Sequence, residues 1–152
     1  PMNIAPTETD TLAVRFVERW HDAARGFLSA MFHDPAAGLD AGALAGRSGI
    51  DAECFPDPEL WTIADYLAIC AERNIRPSVP LLVAAARIGH VAIHDGNDRN
   101  LDWLAFLETG AANARHYAET LASFAARVTL SRALIGCYWS LLGPLADYRS
   151  EP

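Results

Sequence analysis

The chain contains no lysine, so its twelve Lys/Arg-type cations are all arginine. That removes Schiff-base catalysis and the lysine of a Walker-type phosphate loop, and no glycine-rich phosphate loop is present either. Cysteine is scarce. Cys54, Cys70 and Cys137 are odd in number, far apart and without a C-x-x-C pair, which argues against a disulfide framework and for buried thiols in a reducing compartment. The longest apolar run, Ala133 to Leu142, is interrupted by Gly136 and Ser140 and is too short to span a bilayer. Residues 1–11 hold no apolar run of the kind a secretory signal needs, and Pro1-Met2 reads as a tag remnant. A cytoplasmic protein is expected. No segment alternates at period two and no repeat recurs at solenoid spacing. No nucleophile stands out: Ser48 in Gly46-Arg-Ser-Gly49 lacks the spacing and the strand–turn–helix context of a nucleophile elbow.

What is present is apolar and acidic. Hydrophobic residues make up 51% of the chain and charged residues 20%, the composition of a folded, alanine-rich helical domain and not of a disordered segment. A length of 152 residues suits one domain, 1–152, with a core of its own. A net charge of −7 opposes phosphate backbones and anionic lipid, so neither nucleic acid nor a membrane is expected as a partner.

Spacings of three and four dominate. Leu12, Phe16, Trp20, Ala24, Phe27 and Met31 share one face, with Arg15, Glu18, Arg19, Asp22 and Arg25 on the other. This predicts a long amphipathic helix from Thr7 to Asp34, stopped by Pro35. Residues 35–56 are rich in Gly, Ala and Asp, hold two prolines and keep no clear period. They read as a long irregular connection with at most one helical turn near Leu39 to Leu44. Asp57-Pro58 opens a helix carried by Leu60, Ile63, Tyr66, Leu67 and Cys70 to about Asn74. Pro77-Ser78-Val79-Pro80 restarts the chain, and Leu81 to His94 reads as a helix apolar almost all round, hence central. Asp95-Gly96-Asn97 ends it.

From Leu101 to about Val128 the residues Trp103, Leu107, Ala114, Tyr117, Leu121, Phe124 and Val128 hold one helical face. Near Thr129-Leu130-Ser131 the phase shifts to Leu130, Leu134, Cys137, Tyr138 and Leu141. A bend or break is expected there, with a last helix closing at Gly143-Pro144. The expected fold class is all-α, a single domain of five or six helices, bundle or globin-like.

Few residues carry chemistry. His90 and His94 stand four apart on an expected helix, with Arg87 along the same stripe. Imidazoles at that spacing hold metals, with His21, His33 or Asp95 as a third ligand, although Arg87 opposes a dication. The same stripe also reads as a solvated face, or as the place of a neutral histidine base. Glu18-x-x-His21 has the spacing of carboxylate-bridged di-iron bundles and His116-x-x-Glu119 reverses it, but both lie on polar faces and read as surface. Asp98-x-Asn100-x-Asp102 lacks the later acidic ligand of a calcium loop.

Tyr66-Leu67, Arg87 three before His90, Gly96 six after it and Trp103-Leu104 thirteen after it form a pattern. It resembles the distal-to-proximal helix stretch of truncated haemoglobins. Upstream, Val17-Glu-Arg-Trp-His-Asp22 is similar to the V-x-R-F-Y-D of that family's pocket-lining helix. The resemblance implies a globin fold holding haem, with His90 as axial ligand, Arg87 beside it, His21 in the distal tyrosine's place and Phe32 or Phe55 on the porphyrin. An alignment to sensor globins puts Ala92 at the ligand position instead, which implies a globin fold without haem.

Trp61, Trp103, Trp139 and Tyr148 exceed what a small core must hold, and exposed aromatics commonly anchor partners. The function expected is a non-catalytic helical binding or interaction domain, for a protein partner, a second copy in a homodimer, or an apolar ligand. No cofactor is favoured. The alternatives are a haem-binding globin-like protein through His90 and a metal site at His90 and His94.

Overall fold

The computed structural model describes residues 7–87, 101–106 and 111–149, and every regular element among them is helical. The all-α expectation holds. Helix α1 spans Glu8–His33. It starts in a capping box, with Thr7 Oγ1 accepting from the Asp10 amide at 3.2 Å and the Asp10 carboxylate accepting from the Thr7 amide at 3.1 Å. Asp34 closes α1 through its own amide, which donates to the Ala30 carbonyl at 3.0 Å.

The same residue opens the next helix. The Asp34 carboxylate accepts from the Ala37 amide at 3.1 Å, and Pro35 takes the first helical position of α2, Pro35–Leu44, where a missing N–H loses no bond. The irregular connection expected over 35–56 is thus corrected: it opens with a ten-residue helix. Sequence periodicity missed α2 because it is built of small residues, with Gly38 and Gly42 as its buried positions. A Cβ on Gly38 would fall 2.8 Å from Met31 Cα, so only glycine lets α2 fold back against α1. Past α2, Gly46 and Gly49 adopt φ of 59° and 77°, the left-handed region that glycine enters freely. A short 3₁₀ turn follows at Ala52–Cys54, capped by Asp51.

Helix α3, Pro58–Glu72, begins as expected with Asp57 accepting from the Glu59 amide at 2.9 Å and ends at a left-handed Asn74. Helix α4 is Val79–Arg87, α5 is the single turn Trp103–Phe106, and α6 is Ala111–Arg149. The core gathers Ala24, Phe27, Leu28 and Met31 of α1, Leu60, Ile63 and Leu67 of α3, Leu82 of α4, Leu104 of α5 and Leu121 of α6. Helix α1 is the hub, touching α2, α3, α5 and α6. Of the 81–94 segment expected to be central, residues 81–87 are described. Within its described part only Leu82 and Val83 are buried, and Leu81 faces solvent.

Two contacts set how α1 meets α6. Phe16 and Phe124 stack edge-on with centroids 5.0 Å apart. Ten residues along α1, Gly26 is pressed against Tyr117, and a Cβ there would lie 2.7 Å from the ring's Cζ. The helices are antiparallel, since position 16 meets 124 and position 26 meets 117.

The break expected near 129–131 does not occur. Helix α6 runs unbroken for 39 residues, through Gly143-Pro144. Ser131 Oγ donates to the Arg127 carbonyl at 2.8 Å and Ser140 Oγ to Gly136 at 2.9 Å, so these hydroxyls bond back into the helix instead of ending it.

Candidate interaction surface

A 39-residue helix is about 58 Å long, whereas a compact chain of this size has a radius of gyration of about 15 Å and spans about 38 Å. Such a rod outruns its own body. Counting back from the Phe16–Phe124 contact, α1 ends level with about residue 132 of α6. Every described side chain from Thr129 to Leu141 is exposed.

The overhang is not polar. At 100° per residue, Ala114, Ala118, Leu121 and Val128 mark the side of α6 that faces the body, and Ile135, Trp139 and Leu142 continue that stripe beyond it. A second stripe, Leu130, Leu134, Cys137, Tyr138 and Leu141, begins on the adjoining flank. The phase shift legible in the sequence is the onset of this second face. Together the two stripes cover about 200° of the helix, far wider than the ~100° that packing against one core requires. The remaining sector holds Thr129, Ala133, Gly136, Ser140 and Gly143, and a Cβ on either glycine would meet nothing within 4 Å.

Leu130 and Leu134 are each 61% exposed, Trp139 is 65% and Leu141 74%. With Ile135 and Tyr138 they present on the order of 700 Å² of apolar surface, beyond the largest patch usual on a monomer. At the same end of the molecule, α1 leaves Leu12, Val14 and Val17 exposed. Leu12, expected in the core stripe, is 66% exposed.

Charge divides these two surfaces. Residues 127–143 carry Arg127 and Arg132 and no carboxylate, while α1 opens with Glu8 and Asp10. Arg132 reaches Glu53 at 3.5 Å, but both side chains are largely exposed, so that pair adds little. Hydrogen bonds from Thr7 hold the Asp10 carboxyl below its ordinary value. Cys137 is exposed, whereas Cys54 and Cys70 are buried, which corrects the expectation of buried thiols for one of three. Burial pushes the Cys54 thiol up, and the nearby Asp51 carboxylate raises it further.

No protein-family model, curated protein or solved structure matches this chain. Its surfaces speak through their own chemistry.

Among the described residues, those singled out in the sequence are scattered. His90 and His94 lie outside the described residues, as does the side chain of Tyr148. His21 is half-buried on α1, and Arg87 is exposed at the end of α4. Phe55 is in the core against Phe27 and Trp61, with centroids 6.4 and 5.7 Å away. Among the described residues no hydrogen bond or ring contact links His21, Arg87 and Phe55. Phe32 is half-buried beside His33. Burial, with Cys70 adding to it, raises the Tyr66 hydroxyl, which has no hydrogen-bond partner of good geometry. Among the described residues no three His, Cys, Asp or Glu side chains gather as a metal would need, and no helix is long and apolar enough to cross a membrane.

Two of the aromatic anchors prove structural. Trp61 and Trp103 pack on the core cluster, Trp103 also lying under Arg25 at 5.8 Å, which leaves Trp139 as the exposed one of the three described. Sequence reading missed one grouping. His33, Ser78 and Asp102 line an open groove of about 530 Å³. Ser78 Oγ there accepts the Leu81 amide at 3.3 Å as a helix cap, and no described hydrogen bond joins the three into a relay.

Proposed function

We propose that the protein is a non-catalytic helical interaction module whose working surface is the overhanging half of α6. The observation that carries this reading is the pair of apolar stripes on one exposed helix. A helix apolar over so wide an arc is stable in water only when neighbours flank it, and α1 flanks it no further than about residue 132. Trp139 and Tyr138 are of the kinds that dominate interface energetics, and the leucines add apolar area around them. A cytoplasmic setting accords with this reading, since an exposed unpaired thiol such as Cys137 stays reduced there. The net charge of −7 opposes the approach of nucleic acid or anionic lipid to the chain as a whole.

Thiol chemistry on the full chain tests it. At a dilution where the chain has monomer mass, Cys137 should react with a maleimide as fast as a free thiol, with Cys54 and Cys70 far slower. A hydrophobic dye should bind the same sample and be lost in the Leu134→Glu/Leu141→Glu variant. A Cys137 that is protected in a species of monomer mass would mean that the chain covers its own overhang, and the reading would fall.

A further inference from the structure

We draw no further inference here: the strongest candidate, the exposed apolar face of α6 over residues 130–141, belongs to the surface already described, and nothing in the structure shows what covers it.

Discussion

Gly26→Ala should change sign with its neighbour. In an exposed helix, alanine for glycine stabilises by about 0.8–1 kcal/mol through backbone entropy. At position 26 the new methyl meets the Tyr117 ring, 2.7 Å from Cζ and nearer still to Cε1. Forcing that contact apart costs about 1–3 kcal/mol. The collision outweighs the propensity gain, and Gly26→Ala should lower stability by up to about 2 kcal/mol. Tyr117→Ala is itself destabilising, but it empties the space. Adding Gly26→Ala in that background should raise stability by about 0.8–1 kcal/mol. Urea denaturation of the four proteins at one low concentration gives the cycle, with a coupling of at least about 1 kcal/mol between the two sites. Equal effects of Gly26→Ala in both backgrounds, within about 0.5 kcal/mol, would refute the close crossing of α1 and α6 and with it the level at which the overhang begins.

Trp20 Nε1 donates to the Cys54 carbonyl at 2.7 Å. Trp20→Phe should therefore lose about 1–2 kcal/mol and lower the melting temperature by about 3–8 °C, with faster labelling of Cys54 as the 3₁₀ turn loosens. An unchanged midpoint would show that bond to be idle. The Asp10 carboxyl is held below its ordinary value by Thr7, so its support for α1 is complete above the unfolded carboxylate range and fades as pH falls through the lowered value. Amide exchange in the first turn of α1, corrected for intrinsic rates, should quicken below about pH 4. In Asp10→Asn that turn should be loose at every pH, and a variant that keeps the acid-sensitive step would assign it elsewhere.

Helices α1 and α3 were legible because their signals are local. Thr7 with Asp10, Asp34 with Pro35, and Asp57 with Pro58 mark starts and stops through side chains that bond the nearest amides. Helix α2 was not legible, since its buried face is glycine and alanine, and no hydropathy pattern records a close approach that depends on a missing side chain. The overhang was half legible. Leu130, Leu134, Cys137, Tyr138 and Leu141 stood out as a new face, but periodicity cannot distinguish a broken helix from a continuous one that gains a second face. That difference lies in where α1 ends. Trp61 and Trp103 were misplaced for the opposite reason: composition counts aromatics, and only packing tells which of them the core absorbs.

An unbroken α6 works like a crankshaft. Its first half is clamped in the body by Ala114, Ala118 and Leu121, and its second half inherits every rotation of the first. One residue added between the two halves would turn everything beyond it by about 100° and advance it by about 1.5 Å, aiming unchanged side chains in a new direction. The length of chain between clamp and tip therefore sets the angle at which whatever grips the tip is held.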